Sequence, residues 1–165
     1  MKPRAVIFDI DGTIADIGHR CRMVQDWINV TDAQVAAYSA RMDDDRPILP
    51  MVELARTLHT AGFAILLLTA RDDSQYQRTK DWMKSHGVPF EQLYMREQRK
   101  PGEVWTPNAE YKLDQLNVIR KKYDIEFAVD DEPKVVKMFR DNGITCLQCA
   151  DWSTGDDSHA QAARA

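Results

Sequence analysis

The chain has few cysteines, no long hydrophobic run and little net charge, and each scarcity removes a class of explanation. Three cysteines in 165 residues, an odd number, do not form a disulfide framework. They point to a reducing compartment, so a cytoplasmic location is expected. No apolar run approaches the roughly 20 residues that cross a bilayer, and the opening residues lack a signal-peptide pattern. No membrane partner is expected. A net charge of −4 gives no global attraction to nucleic acid, so any such contact must come from a local patch or a bound cation. What remains is ordinary globular composition, 44% hydrophobic and 29% charged, enough to bury one full core. Only the tail from Ser153, small and polar without period, reads as disordered.

One pattern is repeated along the chain. "LPMVELARTLHTAG" sets Val52, Leu54, Ala55 and Leu58 on one helical face, stops at Gly62, and runs into the apolar "FAILLLTA". "YQRTKDWMKSHG" with "VPFEQLYM", "YKLDQLNVIRKKY" with "IEFAV", and "EPKVVKMFRDNG" with "ITCLQC" follow the same order. Leu113, Leu116 and Ile119 share a face of the third helix. Continuous apolar runs alternating with amphipathic helices predict an α/β fold with a doubly wound parallel sheet. Strands are expected near Ala5–Phe8, Phe63–Leu68, Gln92–Met95, Glu126–Val129 and Ile144–Gln148. Residues 14–47 break the pattern. Their patches (Val24, Trp27, Ile28; Val35, Ala36, Tyr38) suggest one or two short helices over the sheet's edge, a small lid rather than a domain. The expected layout is one domain over residues 1–152, with 14–47 as its insert, and a tail over 153–165.

Three apolar runs end in functional groups: "VIF" in Asp9, "ILLL" in Thr69, and "FAV" in Asp130 and Asp131. In open parallel sheets ligands bind outside the carboxyl ends of the strands. If these strands are neighbours, their groups surround one crevice, and Lys112 reaches its rim. Asp9, Asp11 and Asp130 would repel one another unless a hard cation sat among them, and such a donor set suits Mg²⁺. A carboxylate beside that ion can attack phosphorus. Asp11 can protonate the leaving oxygen and later deprotonate water, while Thr69 and Lys112 can donate to phosphoryl oxygens. Plainer roles compete. Asp11-Gly12 is also a common turn pair, Thr69 a possible helix cap, and Asp131 before Pro133 has the form of one. "MDDDRP" at 42–47 reads as an acidic loop, and Cys146-x-x-Cys149 as a strand end, since structural zinc takes four ligands.

"DIDGT", "LLLTAR", the lysine of "EYKLDQL" and "VDDEP" resemble, in order, the four motifs of the haloacid dehalogenase superfamily. The resemblance implies Asp9 as nucleophile, Asp11 as acid/base and as metal ligand through its carbonyl, and Thr69 as phosphate binder. It implies Lys112 as charge stabiliser, Asp130 as direct metal ligand and Asp131 as its support, with Thr13 and Ala70 of the same motifs beside the substrate. An aspartyl-phosphate intermediate and a Mg²⁺ requirement come with it.

No insertion of about 100 residues, the size of a whole domain, follows either of the first two motifs. An open site favours a phosphate on a large substrate. "TARDDSQYQRTKDWMKSHGVP", "MREQ" and "DDEPKVVKMFRDNGITCLQCA" are similar to the 3′-phosphatase domain of phage polynucleotide kinase-phosphatases. That domain carries an arginine eleven residues after its nucleophile, where Arg20 stands, and another matching Arg71. Both would hold the substrate phosphate, a task suited to guanidinium. Arg96, Arg99 and Lys100 could follow a nucleic acid backbone. The likeness departs at Asn108, where the family has aspartate, and at Glu132, where it has arginine. No G-x-x-x-x-G-K-[ST] occurs, so the kinase half is absent and a stand-alone phosphatase is expected. The implied substrate is a nucleic acid 3′-phosphate end, with a separate kinase or ligase as possible partner. The alternative is a 5′(3′)-nucleotidase acting on free nucleoside monophosphates or other small esters, with residues 14–47 as lid. The third possibility, a non-catalytic end-binding module, would not need a nucleophile. DNA against RNA and the oligomeric state are left open by the sequence.

Overall fold

The computed structural model describes residues 1–24, 30–100, 103 and 106–150. Five parallel strands form one sheet: β1 (Arg4–Phe8), β4 (Ala64–Asp72), β5 (Gln92–Arg96), β6 (Asp124–Asp130) and β7 (Cys146–Gln148). Their order is β5-β4-β1-β6-β7. The order reverses direction between β1 and β6, so the crevice of an open α/β sheet lies there, beyond Phe8 and Asp130.

Alternate residues of the central strands face opposite layers, as the two-residue period of a strand requires. Ala5 and Ile7 of β1, with Leu66 and Leu68 of β4, pack against α5 (Asn108–Lys122) and α6 (Pro133–Asp141) through Leu116, Ile119, Val135 and Phe139. Val6, Phe8, Ile65 and Leu67 pack on the other face against α3 (Leu49–Thr60) and α4 (Tyr76–Ser85), through Val52, Ala55, Trp82 and Met83. Burial on both faces is why these runs are apolar throughout. The predicted helical faces hold: Val52, Ala55, Leu116 and Ile119 are buried, with Leu54, Leu58 and Leu113 packed at the edges. Gly62 ends α3 at φ +89°, the left-handed stop that its sequence suggests.

Strand limits differ from expectation for local reasons. β4 runs on to Asp72 because the chain pairs again at Asp72 with Arg96 after a register shift beyond Leu68. Thr69, Ala70 and Arg71 therefore occupy an irregular stretch, and such bulges re-aim side chains. β7 begins at Cys146 rather than Ile144, whose N–H closes α6 by donating to the Phe139 carbonyl. β6 begins two residues early, paired with Arg4.

The insert holds a two-stranded antiparallel pair that the sequence did not signal, β2 (Ala15–Asp16) with β3 (Arg46–Pro47). It also holds α1 (Gly18–Cys21) and α2 (Asp32–Ala40), the latter opened by a Thr31–Gln34 capping box. The expected patch at Val35 and Tyr38 is only half-buried, because it faces the cavity at the carboxyl end of the sheet rather than a core. Trp27, Ile28 and the expected tail from Ser153 lie outside the described residues.

Candidate active site

The tight turn after β1 sets the first two groups. Amides of Thr13, Ile14 and Ala15 all donate to the Ile10 carbonyl, and Gly12 takes φ +86°. The Asp-Gly pair is thus a turn, and the turn is what aims Asp9 and Asp11 at the crevice. Asp9 and Asp130 end adjacent strands, with the Asp9 amide donating to the Val129 carbonyl at 3.0 Å. Lys112, one turn into α5 and 3% exposed, donates to Asp9 Oδ1 at 2.5 Å and to Asp130 Oδ2 at 2.8 Å. A helical lysine that would ordinarily be solvated is here buried between two carboxylates.

Asp9, Asp130 and Asp131 each offer a carboxylate oxygen within 4.8 Å of the others, and all three are buried. Burial, above all, pushes the Asp9 carboxyl well up, and Asp130, Asp131 and Asp11 add to it while Lys112 opposes. Burial and then Asp130 raise Asp131 to about 7. Three crowded carboxylates of that kind make an all-oxygen donor set that fits a small hard divalent cation.

Asp11 stands apart from this cluster. Against its burial, Arg71 and Arg20 hold its carboxyl well below the usual range. Arg71 donates Nε to Asp11 Oδ2 at 2.8 Å and Nη2 to Oδ1 at 2.7 Å, and Arg20 Nη2 reaches Oδ1 at 2.5 Å. Both arginines, expected as substrate contacts, line the cavity; Arg71 Nη1 donates to the Thr79 hydroxyl at 3.3 Å, and the Nε and Nη2 of each arginine go to two carboxylates. The second of these, Asp45, escaped the sequence reading. It belongs to the run whose sequence reads as an acidic loop, yet it is 3% exposed and accepts from Arg20 Nε and Nη2, both at 2.7 Å, and from Arg71 Nη2 at 3.0 Å. The signal available was two arginines near one aspartate, a charge count that asks for another anion.

The remaining predicted residues are dispersed more widely. Thr69 and Ala70 line the cavity, and Thr69 Oγ1 accepts the Arg71 amide at 3.2 Å instead of capping a helix. Thr13 is fully buried behind the cluster, its hydroxyl donating to Asp131 at 3.3 Å. Asp131 therefore does not cap α6; Glu132 holds that position, and its amide is met by Asp130 Oδ1 at 3.0 Å. Arg96 lines the far wall over the Tyr111 ring, donating to the Thr106 carbonyl at 2.5 Å and to Asn108 at 2.9 Å. Asn108 in turn donates to Glu132 at 2.8 Å, so the two positions that depart from the family pattern touch each other. Arg99 is paired with Asp32. The cavity measures about 590 Å³, and Val35, Tyr38 and Met42 of the insert form one wall.

This architecture has solved counterparts. The chain superposes on a class C acid phosphatase from Bacillus anthracis with tungstate bound at a TM-score of 0.63 and 14% identity, covering 90% of this chain and 66% of that one. It superposes on a chain of the Pnkp1/Rnl/Hen1 RNA repair complex at 0.71 and 24%, covering 89% and 42%. At such identities the likeness is one of fold. Residues 3–153 match the phosphatase domain family of the polynucleotide kinase PNKP. With the aspartates at the strand ends, these findings define a phosphatase of the haloacid dehalogenase type, a phosphoric monoester hydrolase of a class that uses a divalent metal. Within that class the chain belongs to the PNKP phosphatase domain family.

An Autographa californica nuclear polyhedrosis virus protein named "Putative bifunctional polynucleotide kinase/RNA ligase" is 30% identical over 141 residues, 84% of this chain. The chain spans only 18% of that relative and 42% of the RNA repair chain. Among the described residues no helix is long and apolar enough to cross a membrane.

Proposed function

We propose that this protein is a Mg²⁺-dependent polynucleotide 3′-phosphatase that works through an aspartyl-phosphate on Asp9. The observation that carries the reading is Lys112 bridging Asp9 and Asp130, which gathers three distant motifs at one cavity in a chain of the PNKP phosphatase family. Mg²⁺ bound by Asp9, Asp130 and Asp131, with the Asp11 carbonyl, would neutralise the phosphate and the carboxylates that face it.

The chain's own groups then do the chemistry. An Asp9 oxygen bonds to phosphorus as the bond to the leaving oxygen breaks, and that oxygen takes a proton from Asp11. Water next attacks phosphorus and gives its proton to Asp11, the bond to Asp9 breaks, and phosphate leaves. Lys112 and Thr69 hold the equatorial charge. General acid–base catalysis of this kind is worth on the order of 10²–10⁴-fold. Asp11 is held ionised by Arg20 and Arg71, which suits the base step. The acid step needs the protonated form, and a phosphate arriving beside Thr69 and these arginines would offset part of their field on Asp11. That places Arg20 and Arg71 near the phosphate while they orient Asp11, with Ala70 against the substrate and Arg96 on the far wall.

Relatives named for a polynucleotide kinase and an RNA ligase support a kinase or ligase as partner of this chain. Its free thiols at Cys21, Cys146 and Cys149 suit a cytoplasmic setting. One domain, residues 1–152, carries all of this, with the insert as partial lid. The competing nucleotidase reading draws on that insert, since a wall made by Val35, Tyr38 and Met42 suits a small ester. An assay with Mg²⁺ compares a 3′-phosphorylated oligonucleotide with free nucleoside monophosphates. The oligonucleotide should have the higher kcat/KM; equal or better turnover of the monophosphates would replace this reading with the nucleotidase.

A further inference from the structure

We infer that Asp45 is a positioning residue for catalysis, fixing the Asp11 carboxylate through the two guanidinium groups between them. The inference rests on the acid/base reading of Asp11 given above. Four charged groups form a closed arrangement. Arg20 Nη2 lies between Asp11 Oδ1 at 2.5 Å and Asp45 Oδ2 at 2.7 Å, and Arg71 Nη2 between the same two oxygens at 2.7 and 3.0 Å. The two carboxylates oppose each other across the arginine pair.

They differ in access. The Asp11 side chain is 22% exposed and lines the cavity, whereas that of Asp45 is fully buried and does not. Asp45 is held from behind as well. Its Oδ1 meets His19 Nε2 at 2.9 Å, and its carbonyl accepts from the Trp82 indole at 3.0 Å. One side of the arrangement is thus anchored in the insert and α4, and the other is presented to substrate. Asp11 alone faces two cations and offers them one carboxylate. With Asp45 present the quartet is neutral, and each guanidinium is fixed by acceptors on two sides. A buried charge left without its partner moves or draws in water, and Asp11 would turn with it. An acid that must meet a leaving oxygen at hydrogen-bond distance does not tolerate that turn.

Asp45→Asn keeps the shape and an acceptor while removing the charge. kcat/KM is measured on two substrates with one preparation. From p-nitrophenyl phosphate the p-nitrophenolate departs without needing a proton; from a 3′-phosphorylated oligonucleotide the departing 3′-oxygen is an alkoxide that needs one. The variant should lose on the order of 10²-fold more on the oligonucleotide than on the aryl ester, whose own loss reports the arginines' hold on the phosphate. An equal fall on both substrates means a merely structural role and overturns the inference, as does no fall on either. If the Asn chain does not fold, Asp45→Glu shifts the carboxylate by one methylene and the same ratio is read; a ratio like the wild type's again overturns it. Asp11→Asn run in parallel separates the two readings. It should show the same selectivity, and if it does not, the acid role of Asp11 fails and the inference falls with it. If it does and the Asp45 variant does not, Asp45 alone is misassigned.

Discussion

Lys112 and Asp130 sit 18 residues apart in sequence and 2.8 Å apart in space, with the Lys112 ammonium also on Asp9. Against its burial, Asp130 and Asp9 hold Lys112 charged well above the usual lysine range. The same ammonium therefore answers two needs, neutralising the acidic cluster in the resting protein and facing phosphoryl charge during turnover. Replacing it by methionine should remove most activity, with kcat falling on the order of 10²–10³-fold as for loss of one transition-state donor. Breaking a buried pair costs about 3–5 kcal/mol, so the metal-free variant should melt lower. Mg²⁺ should restore more of its stability than it adds to the wild type, which differential scanning calorimetry would measure.

Asp9→Asn separates chemistry from stability. Hydrolysis of an aryl phosphate should fall to background, because the amide cannot attack phosphorus. The metal-free protein should change less in stability than the Lys112 variant does, since relief of a charge disfavoured chiefly by burial is set against loss of one of the two carboxylates on Lys112, which keeps Asp130. A variant that retains turnover would refute the nucleophile assignment.

The pH dependence follows from the raised carboxyls. Burial, then Asp130, lifts Asp131 to about 7 in the fold, against about 3.9 in an unfolded chain. A raised carboxyl favours folding where it is protonated, so its contribution is lost as pH rises from about 4 towards 7. Asp9 shifts in the same direction. Metal-free protein should thus be more stable at pH 5 than at pH 7.5. Stabilisation by Mg²⁺ should run the other way and grow with pH, because the ion needs ionised ligands. Thermal shifts with and without the ion at both pH values check the sign.

Arg78 ties the insert to α4. It donates to both Asp43 oxygens, at 2.5 and 2.8 Å, and to the carbonyls of Ser39 and Ala40 at 2.6 and 2.9 Å. Removing it as Arg78→Ala should leave kcat nearly intact and raise KM a few-fold, because the wall made by Val35 and Tyr38 loses its anchor. Exposed pairs contribute about 0–1 kcal/mol, so melting should move little. Faster amide exchange confined to α2 is the expected accompaniment.

The sheet was legible because its strands are buried on both faces and their apolar runs stand out against amphipathic helices. The placing of Asp9, Thr69 and Asp130 at one end of the sheet was legible because each follows an apolar run, whereas Lys112, on a helix, stood out from a solvated charge only by the order of the family's motifs. The insert was not, since β2 and β3 are two residues long and carry no period, and α2 faces a cavity rather than a core. Asp45 was hidden for a related reason. Nothing next to it in sequence distinguishes it from Asp43 and Asp44; only the arrival of Arg20 and Arg71 from elsewhere sets one of the three apart as their buried partner. The reach of β4 beyond Leu68 depended on Arg96, a partner that local propensity does not see.

Asp9 and Lys112 lie 103 positions apart along the chain, and every link between the central strands is a crossover. No short fragment can bring the turn that carries Asp9 together with Lys112 and Asp130. Contacts of such long range form slowly and late, so recovery of turnover after denaturant is diluted away should lag behind recovery of helix signal. The rate of that lag would report the final docking of β6 beside β1.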